Sequence, residues 1–369
     1  MAARALSAFL RLCALALALG ACTPVADAVD AVRLLDRLTG APTLEGVAVR
    51  EVAWAARGLA RAADLYEPAR PQGAMVLAPG LGREGRRDAR LTSFAAALAQ
   101  VGFVVLVPDV PNFQAQRVAA SDSEILSDAL RYLLAQQKDE RAVGIAAVSY
   151  AVGPAIIAAL EPDIASQIDV VAAIGGYYDT SAVVTFFTTG YFREATDAPW
   201  QHRAPNAYGK WVFVLANAER IADPRDRTSL YAMARRKLAD LNADVDDLGA
   251  DLGPEGRVVV DLLSNRDPER APALIAALPP GVRGDLEGLD LARRDLGALK
   301  ARLILIHGRD DAIIPYTESV ALARAVPHSH LALLDSLAHA DLGPGGLMDA
   351  VRLWRAAYTL MRQRHGTKR

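Results

Sequence analysis

The chain has 369 residues, enough for one large α/β domain with an insertion or for two ordinary domains, with a substantial buried core in either case. At 52% hydrophobic and 23% charged residues the composition is that of a globular protein, which excludes general disorder. The formal net charge is −2, and it falls to −4 without residues 1–21, which hold Arg4 and Arg11 and no acid. No basic excess favours nucleic acid.

Residues 1–21, MAARALSAFLRLCALALALGA, pair a basic start with an apolar run over 12–21. That run is well short of the roughly 20 residues needed to cross a bilayer, so it reads as an export signal rather than an anchor helix. The segment Leu19-Gly20-Ala21-Cys22 resembles the lipobox of bacterial lipoproteins, in which the cysteine becomes the lipidated N-terminus after cleavage. A secretory signal with a cysteine near its end is the alternative. The other cysteine, Cys13, lies in the apolar run and would be removed with it, so no disulfide can form. The resemblance implies lipidation at Cys22 and a membrane as partner. Thr23, where an Asp would favour the inner membrane, points to the outer membrane of the cell envelope.

Residues 22–45 read as a tether with a short amphipathic helix through Val29, Val32, Leu35 and Leu38, ended by Gly40-Ala41-Pro42. Strands are then predicted over 47–56, around 61–66, and over 74–80, 103–110, 143–148 and 169–176, with helices over 91–101, 123–137 and after Ser149. Short, nearly continuous apolar runs alternating with helices indicate a doubly wound α/β fold with a mostly parallel sheet. The alternation then stops for the 121 residues 180–300. One crossover needs only a dozen or so, so this stretch reads as an inserted, mainly helical cap with helical periodicity over 229–241 and 257–263. A second independent domain is the alternative. The sheet resumes at 301–308 and 331–337, and a helix over 348–363 ends the pattern. The expected organisation is signal 1–21, tether 22–45, core 46–179, cap 180–300 and core 301–369.

The stretch GIAAVSYAVG, residues 144–153, reads as a strand turning sharply into a helix with Ser149 at the apex. A serine exposed on so tight a turn needs small residues two before and two after it, here Ala147 and Ala151. Further acidic and histidine residues follow later strands: HGRDDAIIP after 303–307 and His339 after 331–337. Serine, acid and histidine in this order resemble the α/β-hydrolase family over nearly all of residues 45–365. The turn Gly308 to Pro315 resembles the family's Gly-x-x-Asp turn, which selects Asp311 as the triad acid with Asp310 as fallback. The resemblance implies Ser149 as nucleophile, His339 as base and Asp311 as the group orienting it. It also implies backbone oxyanion donors at Tyr150 and at Leu81. The latter lies in Pro79-Gly80-Leu81-Gly82, which stands where the family has His-Gly-x-Gly.

The expected activity is cleavage of an ester or related acyl bond in a small-molecule acyl substrate, with no cofactor and no metal. A peptidase or amidase of the same fold is one alternative, and a non-catalytic envelope lipoprotein using the fold as a binding module is another. Three further features admit other readings. Gly80-Leu81-Gly82-Arg83-Glu84-Gly85 with Asp109 beyond matches a dinucleotide-binding pattern, but residues 83–90 offer no apolar helix face. His328 and His330 lack a second cluster at metal-ligand spacing. The aromatic residues Tyr177, Tyr178, Phe186, Phe187, Tyr191 and Phe192 fit either an acyl pocket or core packing.

Overall fold

The buried apolar runs of the sequence form the centre of one eight-stranded sheet. The structure is a computed structural model and describes residues 23–40, 43–137, 141–338, 341–342 and 346–365. Its strands are β1 (Val47–Ala56), β2 (Leu59–Pro68), β3 (Gly73–Leu77), β4 (Phe103–Pro108), β5 (Val143–Val148), β6 (Val170–Ile174), β7 (Arg302–Gly308) and β8 (Ser329–Leu334), in the order β1-β2-β4-β3-β5-β6-β7-β8. β2 pairs antiparallel with β1 and β4, and every pairing from β4 to β8 is parallel. The expected doubly wound α/β fold is therefore present. Arg57 and Gly58 both have positive φ, as the two-residue turn joining β1 to β2 requires.

Helices cover both faces because every central strand is apolar on both sides. On one face lie α3 (Asp122–Gln136), α4 (Val152–Ala159) and α11 (Thr317–Ala325), whose Leu126, Ile156 and Leu322 share a core with Ile145 and Leu303. On the other lie α1 (Thr23–Thr39), α2 (Ala89–Gln100) and α12 (Leu347–Arg362), whose Leu34, Leu98 and Met361 pack with Met75 and Ile304. The expected helical insertion after β6 is made of α5 (Thr180–Thr189), α6 (Tyr208–Asn217), α7 (Pro224–Ala239), α8 (Pro254–Ser264), α9 (Ala271–Ala276) and α10 (Pro280–Leu289). These build a core of their own around Phe187, Leu230 and Leu262.

Where a tether with a short helix is expected, the chain forms the 17-residue helix α1, packed between α12 and α2. Its buried stripe runs through Asp27, Ala31 and Leu34 rather than Val29 and Val32. The reason is electrostatic. Arg364, fully buried, bonds Asp27 at 2.7 Å and Asp30 at 2.9 Å, and it also donates to the Val101 carbonyl. A buried cation of this kind is stable only when fully paired, so it fixes which face of α1 turns inward.

Candidate active site

β5 ends at Val148 in extended conformation, and the next residue, Ser149, has φ +58°. Only Arg57 and Gln116 share this left-handed state among the described non-glycine residues. Such a conformation costs an L-residue roughly 1–2 kcal/mol and persists where the surroundings enforce it. Here they do: a turn of 3₁₀ helix over Ser149–Ala151 leads straight into α4 with both flanking residues, Ala147 and Ala151, fully buried. The chain needs small residues at three further positions. A Cβ added to Gly153 would lie 1.8 Å from the Tyr177 hydroxyl, one on Gly144 2.4 Å from Val170, and one on Gly176 2.5 Å from Val152.

Tyr150 follows the serine, and its phenol is held by its own network. It donates to Asp122 Oδ2 at 3.0 Å, accepts from the Ala119 N–H at 3.2 Å, and packs edge-on against Phe113. Burial, and then Asp122, push the phenol well above its ordinary pKa, so it stays a donor. Asp122 also accepts from Asn112 Nδ2 at 2.7 Å and Ala119 N at 2.9 Å. Leu81 lies in the loop after β3, the strand paired with β5, and packs on the same core as Tyr150. The Gly82 N–H of that loop is tied to the Phe113 carbonyl at 3.1 Å.

Three residues beyond β7, Asp311 is fully buried while Asp310 is exposed. Asp311 Oδ1 accepts from the Ile313 and Ile314 N–H groups at 2.7 and 3.0 Å. Its Oδ2 lies 3.3 Å from Nε2 of His307, a fully buried β7 residue. That nitrogen is also 3.0 Å from the Ile314 carbonyl, which can only accept, so Nε2 carries a proton; Nδ1 is 2.7 Å from Ser319 Oγ. From the cap, Arg203 donates to the Arg309 and Asp311 carbonyls, and the Asn206 N–H to the Ala312 carbonyl at 2.7 Å.

His339 and Cys22 lie outside the described residues. Leu337 and Ala338, just before His339, pair with Leu342 and Asp341 after it. The Leu337 carbonyl occupies the space a Cβ on Gly308 would need, at 1.7 Å, so the histidine's flank sits against the end of β7 and the start of the Asp311 turn.

Carboxylates clip the cap at its root. The Tyr178 and Asp179 N–H groups, entering the cap, donate to Glu318 at 3.0 and 2.8 Å. The Leu291 and Ala292 N–H groups, leaving it, donate to the Tyr178 carbonyl. Burial pushes Glu318 up to about 8 despite those hydrogen bonds, and burial with Asp179 nearby takes Asp290 to about 6.

The remaining sequence features take part in ion pairs and packing. Asp109 accepts from Arg86 and Gln114, and the buried Arg86 also bonds Asp64 and Glu51. Gly85 opens only a single turn of 3₁₀ helix, Gly85–Arg87, and the α-helix begins at Ala89, capped by Asp88. No group of three or more metal-binding side chains occurs among the described residues. Phe186 and Phe192 pack with Tyr316, and Phe187 joins the cap core. His307, Asp122 and Glu318 escaped the sequence reading. The one legible signal was His307, a lone imidazole in an otherwise apolar strand.

No protein-family model matches the chain, and no curated protein sequence is similar to it. Solved structures do match. A Legionella pneumophila protein provisionally described as a hydrolase has TM-score 0.51 and 14% identity, over 93% of this chain and 96% of that one. The rice cell wall degrading esterase LipA from Xanthomonas oryzae has TM-score 0.50 and 13% identity, over 92% and 95%. An acylaminoacyl peptidase from Pyrococcus horikoshii has TM-score 0.50 and 12% identity; the match covers 89% of this chain but 43% of that one. Strand order, the inserted cap and these neighbours agree that the chain has the α/β-hydrolase fold.

Proposed function

We propose that the protein is a serine hydrolase of ester or related acyl bonds, working through an acyl-enzyme and held in the bacterial envelope by a lipid on Cys22, facing the periplasm from the outer membrane. The observation that carries the catalytic reading is the left-handed Ser149 at a strand-to-helix junction, a strained geometry that projects a side chain off the sheet edge. Supporting it, Asp311 is buried with one carboxylate oxygen fixed by two N–H groups and the other 3.3 Å from His307 Nε2, near the end of β7.

In this reading the Ser149 hydroxyl attacks the substrate carbonyl carbon while its proton passes to His339, whose tautomer Asp311 fixes. The oxyanion is met by the Tyr150 and Leu81 N–H groups, each contributing about 3 kcal/mol. The bond to the leaving group breaks as His339 returns the proton to it, leaving an ester on Ser149. Water activated by His339 then releases the acid and restores the serine. The test is fluorophosphonate labelling and nitrophenyl-ester turnover of wild type beside Ser149→Ala. Wild type that neither labels nor turns over above the variant ends the enzyme reading. Parallel assays with peptide amides decide between esterase and peptidase.

A further inference from the structure

The edge of the sheet opposite Ser149 carries a second feature. Where β6, β7 and β8 begin, a cavity of about 470 Å³ is lined by Asp169, Lys300, Arg302, His328 and Gln363 among others. Lys300 and Arg302 are exposed and have no ion-pair partner among the described residues. Asp169, the acid in this lining, is turned to β5 and accepts from the Val143 N–H at 3.0 Å. On the adjoining α12, Arg355 and Arg362 are likewise exposed and unpaired among the described residues. The positive field registers on His330, which burial, and then Arg355 and Arg302, hold below its ordinary pKa. With Asp169 the one carboxylate of the lining, Lys300, Arg302 and the adjoining arginines still repel one another, and an anion in the cavity relieves that repulsion.

Helix α1 is tied to the same edge. Gln363 adjoins Arg364 and His365, and both of these bond Asp27 of α1. Asp27 is about 6 Å of helix from Thr23, the residue after Cys22. A fully buried arginine docks α1 on the body, and the described helix begins at Thr23, the residue after Cys22.

We propose that this edge faces the bilayer and that the Lys300 and Arg302 cavity seats the phosphodiester headgroup of an anionic phospholipid in the leaflet holding the Cys22 lipid. The proposal rests on the anchoring part of the function proposed above and is independent of its catalytic part. Basic residues close to an anionic surface each strengthen attachment roughly fivefold, and the effect weakens with salt. The arrangement orients the protein as well as holding it: strands of five to seven residues, roughly 20 Å long, place Ser149 on the side away from the leaflet.

The test uses the lipidated full chain in vesicles of phosphatidylcholine alone or with phosphatidylglycerol, read by hydrogen exchange over residues 300–302, 328–330 and 355–363. Slower exchange with phosphatidylglycerol is expected. It should be lost in Lys300→Glu/Arg302→Glu and reduced in Arg355→Glu, while both variants still float with vesicles and keep wild-type urea midpoints. Equal exchange in the two compositions overturns the headgroup seat. So does tight binding of inorganic phosphate by the detergent-solubilised chain without any phosphatidylglycerol effect, which would mark a site for soluble anions. A chain that floats with neither vesicle refutes the anchor itself, an outcome distinct from the other two.

Discussion

Glu318 makes the stability of this fold depend on pH in a direction opposite to the usual carboxylate. It is buried at the root of the cap, with an ordinary value of 4.5 raised to about 8. A raised acid favours the folded state while protonated, so its contribution is fully present below pH 4.5 and is lost as pH rises toward 8. Each unit corresponds to about 1.4 kcal/mol, which gives a total of about 5 kcal/mol across the window. Asp290 acts in the same sense up to about 6, so the Glu318 share has to be isolated by difference. Glu318→Gln keeps an acceptor for the Tyr178 and Asp179 N–H groups and removes the ionisation. Urea unfolding at steps from pH 5 to 8.5 should show the variant gaining on wild type by about 1 kcal/mol per unit. Parallel stability curves for the two proteins would refute the reasoning.

Further expectations follow from the site. Asp311→Asn should lower nitrophenyl-ester kcat by roughly 10⁴-fold, and Asp310→Asn should change it little, because only Asp311 is buried and fixed by backbone donors; equal effects would move the acid role to Asp310. His307→Phe removes the donor beside Asp311 and should lower kcat roughly tenfold or more with KM nearly unchanged, while His307→Gln retains part of the rate; a change confined to KM would count against a positioning role. Gly308→Ala drives a methyl into the Leu337 carbonyl and should destabilise by about 1–3 kcal/mol with a larger loss of turnover, measured by thermal unfolding beside kinetics.

The central strands were legible because burial on both faces leaves an unbroken apolar run, as in residues 143–148. β8 was expected over 331–337 and is Ser329–Leu334; Leu337, apolar like the strand, belongs instead to a short pairing with Leu342. In the cap, helices expected at 229–241 and 257–263 begin earlier, at Pro224 and Pro254, because proline is tolerated in a first helical turn and Asp223 caps the former. The small residues around Ser149 were visible, but those excluding a Cβ most severely, Gly153 and Gly308, answer to Tyr177 and Leu337, partners that local pattern cannot supply. Glu318 was invisible for a similar reason: a glutamate on an amphipathic helix reads as solvated until the cap root closes over it.

The pairing of Asp27 with Arg364 joins residues 337 positions apart. Helix α1 therefore cannot settle in place until α12 and the residues after it have been made and folded. Until then the Asp27 carboxylate and the stripe through Ala31 and Leu34 stay open, and a chain cut short of Arg364 leaves Asp27 without its buried cation. Loss of Arg364 would therefore unlatch α1 from the body, a local opening at one face of the sheet that leaves the central strands paired.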